Sequence, residues 1–308
     1  MSDSHLVVSL PGETLRAAVG DLPDGVEVVL WDFESPAPTG TIDLVVPPYM
    51  GASQRLGALE GVATRLVQSQ SIGYDDVPAN LPPGHLFANA ASVHEASTAE
   101  LAVALTLAAQ RGLPDFVRAA SEGRWAPARH ASLADRRVLL VGYGGVGRAI
   151  EDRLDGYEVE LTRVASRARD DERGRIHGID ELAELLPSAE IVIVGVPLTD
   201  DTAGLVDAEF LAALPDGALV VNIARGRVAD TDAILAEATS GRLRFAVDVT
   251  EPEPLPEGHA LFALPNVLIS PHVGGATSAM MPRMARLVRR QVERMLRGEE
   301  PLNVVYRS

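Results

Sequence analysis

The chain has 308 residues, 46% of them hydrophobic, and a formal charge of −16. That length suits two domains with sizeable cores, and the acidic balance excludes the clustered positive charge that nonspecific binding to nucleic acid or anionic membrane needs. There is no cysteine and all 27 basic residues are arginine, which removes disulfides, thiolate nucleophiles, cysteine-held metals and lysine Schiff bases.

The start, MSDSHLVVSL, lacks the basic segment and long apolar core of a signal peptide, so cytoplasm is the expected location. Apolar stretches are short, the longest near residues 102–109, and none is long enough to span a bilayer. In the first ninety residues, HLVVSL, VEVVLW, IDLVV, RLVQS and HLFAN alternate with Pro/Gly-rich or helical segments such as residues 51–60, the pattern of a small α/β domain. Ser92 and Glu95 have capping-box spacing, and an Ala/Leu-rich helix over residues 96–111 closes at Gly112 and Pro114.

From Arg137 six near-continuous apolar runs follow: VLLVG, YEVELTRV, AEIVIVGV, ALVVNIA, RLRFAVDV and NVLIS. Helical patterns at residues 178–186 and 230–240 separate some of them, which predicts a doubly wound parallel sheet covered on both faces. A last helix over residues 276–296 carries Met280, Met281, Met284, Leu287, Val288, Val292 and Met295 at helical spacing. This stripe reads as core or subunit contact, and the tail PLNVV is expected to pack back on the first domain.

Residues 138–150, VLLVGYGGVGRAI, place Gly142, Gly144 and Gly147 in GxGxxG register. With 27 glycines in 308 residues chance supplies roughly 0.2 such matches, so the bare spacing is weak. Its position, after an apolar strand and opening a helix, is what suits a dinucleotide pyrophosphate. Gly145 and Val146 complete that loop. A carboxylate about 20 residues on would hold the ribose of NAD, but the slot in TRVASRARDDERGR falls near residues 164–166 and holds none. Ser166 and Arg167, with Arg163 or Arg169 as further candidates, suit a 2′-phosphate instead, so NADP(H) is expected over NAD(H).

Arg225 ends the run LVVNIA, Glu253 lies in DVTEPEPLP, and His272 lies in LISPHVGGAT. All three sit just past strand ends in the domain carrying the glycine loop, where doubly wound folds collect ligands.

The chain resembles the D-isomer-specific 2-hydroxyacid dehydrogenases. The likeness runs through SQSIGYDDV (69–77), STAE (97–100), the glycine loop, VPLT (196–199), NIARGRVAD, FAVDVTEPEPLP, SPHVGGAT and the terminal NVV. It implies a two-domain α/β protein: a Rossmann-type nucleotide-binding domain over residues 95–279, and a smaller flavodoxin-like substrate domain from 1–94 and 280–308. The resemblance makes His272 the acid/base, Glu253 the residue holding its imidazole, and Arg225 the clamp on substrate carboxylate and keto oxygen, a task that suits the guanidinium fork. It adds cofactor contacts at Pro197, Thr202, Ala224, Gly274 and Asp248, the last equally readable as a strand-end cap. On the substrate side it implies Ser71, Ile72 and Gly73, and the walls Tyr49 and Met50. No metal is required.

DVTEPEPLP is similar to the version in glyoxylate and hydroxypyruvate reductases, so small 2-keto acids are the expected substrates. Pro47, Pro48, Tyr49 and Met50 stand where phosphoglycerate enzymes carry basic groups, which disfavours phosphoglycerate. A bulkier apolar keto acid is the alternative within the chemistry, and a cofactor-sensing, corepressor-like protein is the alternative class. The resemblance also implies a homodimer, although the stretch 126–137 is shorter than the family pattern.

Overall fold

The structure, a computed structural model, describes residues 5–49 and 51–308; Met50, expected on the substrate side, lies outside the described residues. The chain divides into two compact units, Met1–His94 with Thr277–Ser308, and Glu95–Ala276.

In the first unit, β1 (Leu6–Leu10), β2 (Val26–Leu30), β3 (Thr41–Val45), β4 (Ala63–Gln68) and β5 (Leu86–Ala88) form a parallel sheet in the order β2-β1-β3-β4-β5. This is the flavodoxin arrangement. The C-terminal strand Val304–Arg307 closes the β5 edge in antiparallel pairing, as the apolar tail predicted. The helix Met280–Leu296 buries Met280, Met284, Leu287, Val288, Val292 and Met295 against Leu6, Val8, Leu10, Leu44 and Leu66. The methionine stripe is therefore core, each such side chain contributing roughly 1.5–3 kcal/mol on burial.

One polar residue shares that buried face. The Gln291 carboxamide is fully buried, accepts from the Leu302 N–H at 3.0 Å, and donates to Leu302 O at 2.9 Å and Gln68 Oε1 at 2.7 Å. It ties helix, tail and β4 together. Gln291→Leu leaves those three groups without partners, and urea denaturation is expected to show a loss of roughly 1–3 kcal/mol or more; wild-type stability would mean that the tail is held some other way.

In the second unit the strands are β6 (Arg137–Val141), β7 (Glu160–Ala165), β8 (Arg169–Asp171), β9 (Gly174–Gly178), β10 (Ile191–Val194), β11 (Leu219–Asn222), β12 (Arg244–Val247) and β13 (Val267–Ile269). Their order is β13-β12-β11-β10-β6-β7-β9-β8, parallel throughout except for β8. All four residues of β10 and of β11 are buried, as expected where helices cover both faces of a sheet. The helix Glu95–Gln110 packs on the helix Gly145–Leu154 and on β11 and β12, burying Ala99, Ala102, Val103 and Leu105. It begins at Glu95, and Ser92 sits ahead of it at φ 79°, so Ser92 is not in the extended conformation of an N-cap residue.

The hairpin β8–β9 is not among the apolar runs that the sequence offers. Its charged residues show no apolar alternation because β8 is an edge strand with little to bury. Around β6 the strand order reverses, β7 and β9 lying to one side and β10 to β13 to the other, so the switch point falls at the end of β6. The strands also end level: Val141 pairs with Val194, Val194 with Asn222, Asn222 with Val247, and Val247 with Ile269. Every loop that leaves this rim starts at the same height.

Candidate active site

The glycine loop leaves β6 at the switch point. Gly142 has φ 109°, and a Cβ there would lie 2.5 Å from Gly195 O; a Cβ on Gly147 would lie 2.2 Å from Gly142 O. Both glycines are demanded by the protein's own packing. Gly144 is not: a Cβ there would meet nothing within 4 Å, so the backbone at this position faces open space. Gly145, Val146 and Gly147 form the first turn of the helix Gly145–Leu154, whose leading N–H groups lack intrahelical partners and favour a phosphate. These residues fit a dinucleotide.

Ser166 and Arg167 lie exposed immediately past the end of β7, and neither of these two positions is a carboxylate. Arg163 is not available to a phosphate. Its side chain is 7% exposed, ion-paired to Asp171 at 3.2 Å and Glu151 at 3.5 Å, because it points inward from β7 rather than from the loop. Arg169 donates to the backbone carbonyl of Tyr143 at 3.1 Å. On the β10 side, the Thr202 hydroxyl donates to Pro197 O at 2.6 Å and accepts from Thr199 N at 2.8 Å, closing the 197–202 loop on itself.

Arg225, Glu253 and His272 leave three adjacent strands, β11, β12 and β13. Asn222 shapes the first loop: its side chain accepts from Ala224 N at 3.0 Å and donates to Arg225 O at 3.2 Å. Ala224 is buried, and Arg225 is half-buried with Nη1 donating to Ala224 O at 2.7 Å. A Cβ on Gly226 would lie 1.8 Å from Thr250 O, so only glycine lets this loop press against the segment that carries Glu253. Glu253 Oε1 is 2.5 Å from His272 Nδ1, both side chains remaining solvent-accessible. The contact assigns the Nδ1 proton to the carboxylate side and leaves Nε2 facing away from it.

Asp248, buried at the end of β12, organises the histidine loop. Its carboxylate accepts from Ser270 Oγ at 2.6 Å, Val273 N at 2.9 Å and Gly274 N at 2.9 Å, and its carbonyl accepts from His272 N at 2.7 Å. His272 itself sits at φ 51°, a conformation that costs a non-glycine residue energy and that neighbouring bonds must hold. These bonds make Asp248 a cap on the 270–274 loop. Sequence spacing alone missed this hold; the signal was an aspartate at the end of an otherwise apolar run.

In the first unit, Ser71–Gly73 follows β4 and Tyr49 follows the adjacent β3. The turn's carbonyls are held inward: Ser69 O by Gln68 Nε2 at 2.8 Å, Gln70 O by His94 Nε2 at 2.6 Å, Ser71 O by Ala90 N at 2.9 Å, and Ile72 O by Asn89 Nδ2 at 2.9 Å. The Ser71 amide is spent on Ser69 Oγ at 2.9 Å. The amides of Ile72 and Gly73 have no partner among the described residues. Tyr49 is half-buried and stacks on His94 with ring centroids 5.7 Å apart. Among the described residues there is no His/Cys/Asp/Glu group able to hold a metal and no helix long and apolar enough to cross a membrane.

A doubly wound sheet with this glycine loop and rim defines a dinucleotide-binding protein. A family model described as D-isomer specific 2-hydroxyacid dehydrogenase, NAD binding domain, matches residues 103–274. A glyoxylate reductase/hydroxypyruvate reductase of Mus musculus is 30% identical, over 94% of this chain and 93% of its own, and a glyoxylate reductase of Pyrococcus furiosus is 34% identical over 78% and 75%. Among solved structures, a D-isomer specific 2-hydroxyacid dehydrogenase of Xanthobacter autotrophicus Py2 in complex with NADPH and MES is 28% identical with TM-score 0.85 over 98% of each chain. An NADPH-dependent glyoxylate/hydroxypyruvate reductase of Sinorhizobium meliloti in complex with NADP and malonate is 26% identical with TM-score 0.79, over 98% of this chain and 97% of that one. The chain belongs to the D-isomer specific 2-hydroxyacid dehydrogenase family, and is an oxidoreductase with an NAD(P)-binding domain.

Asp248→Asn would turn one carboxylate oxygen into an amino group facing backbone donors. A stability loss of roughly 1.5–3 kcal/mol is expected, with faster hydrogen exchange at Val273 and Gly274; unchanged protection of those two amides would show that the loop does not depend on Asp248.

Proposed function

We propose that the protein reduces a small 2-keto acid of the glyoxylate or hydroxypyruvate type to the D-2-hydroxy acid, with NADPH preferred over NADH. The observation that carries the reading is the His272–Glu253 contact at 2.5 Å, on a loop fixed by Asp248. The names of the relatives and of the Sinorhizobium meliloti neighbour point the same way.

In this reading Gly142, Gly144, Gly145, Val146 and Gly147 cradle the pyrophosphate, Ser166 and Arg167 receive the 2′-phosphate, and Pro197, Thr202, Ala224, Asp248 and Gly274 line the nicotinamide side. The bound cofactor supplies the hydride. Arg225 binds the substrate carboxylate and polarises the keto oxygen, its fork matching two acceptors at once. His272 gives the Nε2 proton to that oxygen in reduction and takes it back in oxidation, while Glu253 fixes the ring through Nδ1. In the first unit the amides of Ile72 and Gly73 are the donors assigned to the substrate side, the Ser71 amide being spent on Ser69 Oγ. Tyr49 and Met50 are assigned to the substrate wall.

A homodimer is part of the reading. Leu113, Val117 and Trp125 are exposed along and just beyond the helix Leu113–Ser121, Trp125 at 95%, an apolar strip that a second copy would cover.

His272→Ala is expected to lower turnover about 10²- to 10⁴-fold while NADPH affinity, read by fluorescence titration, changes little; near-normal turnover removes His272 from the role. A panel of 2-keto acids run with both cofactors tests substrate and cofactor together. Glyoxylate or hydroxypyruvate with NADPH should give the highest kcat/KM, and NADH used about ten times more efficiently would reverse the cofactor assignment.

A further inference from the structure

A dense charged cluster lies beneath the glycine loop, and the chemistry above makes no use of it. The Tyr143 ring lies between two guanidiniums, Arg148 at 5.6 Å and Arg163 at 5.4 Å from its centroid. Its hydroxyl donates to Glu151. Glu151 also pairs with Arg163 at 3.5 Å and with Arg173 at 3.1 Å, and Arg163 reaches Asp171 at 3.2 Å and donates to Arg173 O at 2.6 Å. Asp171 and Arg173 flank the turn of the β8–β9 hairpin, and Glu151 stands on the helix that the glycine loop opens. Burial, and then the hydrogen bond to Glu151, push the Tyr143 phenol above its ordinary range, so the hydroxyl stays a donor.

Stability alone is a poor account of this cluster, since a buried ion-pair set is often no more stabilising than well-packed apolar residues of the same volume. What it does achieve is connection. Tyr143 belongs to the glycine loop by its backbone, its side chain meets Glu151 and Arg163, which reach the hairpin through Arg173 and Asp171, and its carbonyl also receives Arg169 at 3.1 Å. Residues 166–168 therefore span two fixed points: Ala165, paired with Gly178 on β9, and Arg169, tied to the loop.

We propose that Tyr143, backed by Glu151 and Arg163, is a positioning residue for cofactor selectivity, holding the 166–169 segment in the conformation that presents Ser166 and Arg167 to the 2′-phosphate of NADPH. The proposal rests on the NADPH reading above. Its chemistry is that of any preorganised anion site: donors fixed before the ligand arrives lose less freedom on binding and discriminate more sharply.

The test is calorimetric and independent of turnover. Full-length wild type, Tyr143→Phe and Arg167→Ala are titrated with adenosine 2′,5′-bisphosphate and with adenosine 5′-monophosphate, and the ratio of the two affinities is the readout. Wild type should favour the bisphosphate. Arg167→Ala should cut the ratio by about tenfold or more, as for loss of a charged hydrogen bond, and Tyr143→Phe, which keeps the ring and removes only the hydroxyl, by about three- to tenfold. Glu151→Gln is the second probe should Tyr143→Phe prove too unstable to titrate, and the same fall is expected. A wild type without preference for the bisphosphate overturns the NADPH reading and this proposal with it. A ratio that falls in Arg167→Ala but holds within about twofold in Tyr143→Phe, or in Glu151→Gln, overturns the positioning role alone, leaving the cluster a structural feature that would move the melting temperature and nothing else.

Discussion

Four hydrogen bonds converge on Asp248, and the rest of the proposed chemistry depends on them. An imidazole can be a proton donor only if it is aimed, and His272 is aimed from a left-handed backbone position that no histidine adopts without help. The bonds from His272 N, Ser270 Oγ, Val273 N and Gly274 N to one buried aspartate supply that help. Glu253 then needs only to hold the ring. Backbone, loop and side chain are constrained in succession, the outermost being the imidazole.

The parallel sheet makes such an assembly inexpensive. Because the ends of β6, β10, β11, β12 and β13 are in register, residues far apart in the chain emerge at one level with no long loop needed to gather them. The remaining adjustment is made by atoms that are missing. Glycine at 226 lets the Arg225 loop touch the Thr250 segment, and glycine at 147 lets the cofactor helix sit on its strand. In both places a single methyl group would overlap a carbonyl oxygen.

Much of this was legible in the sequence, for a reason that differs from element to element. Apolar runs revealed β1 to β7 and β10 to β13 because those strands are buried, and hydrophobic periodicity reports burial. The hairpin β8–β9 was not legible, since RDD buries nothing apolar and GRIHG only the single Ile176. The ordered motifs carried Arg225, Glu253 and His272. They could not tell Arg163 from Arg167: both are arginines in one short stretch, and only the inward direction of Arg163 on β7 separates a buried ion pair from an exposed candidate for phosphate. Nor could they show that Ser71 N is spent while Ile72 N and Gly73 N are not, because that depends on a hydroxyl two residues away closing a turn.

The first unit is made from both ends of the chain. Its sheet is begun by the first ninety residues, yet a large share of its core, from Met280 through Met295, and the strand that covers its β5 edge come from the last thirty-two. During synthesis the amino-terminal segment must therefore wait, with apolar surface uncovered, until residues 277–308 have been made, whereas the continuous cofactor unit can fold in the interval. Closure of the first unit therefore comes after the cofactor unit is already made, and residues 277–308 are the piece on which that closure waits.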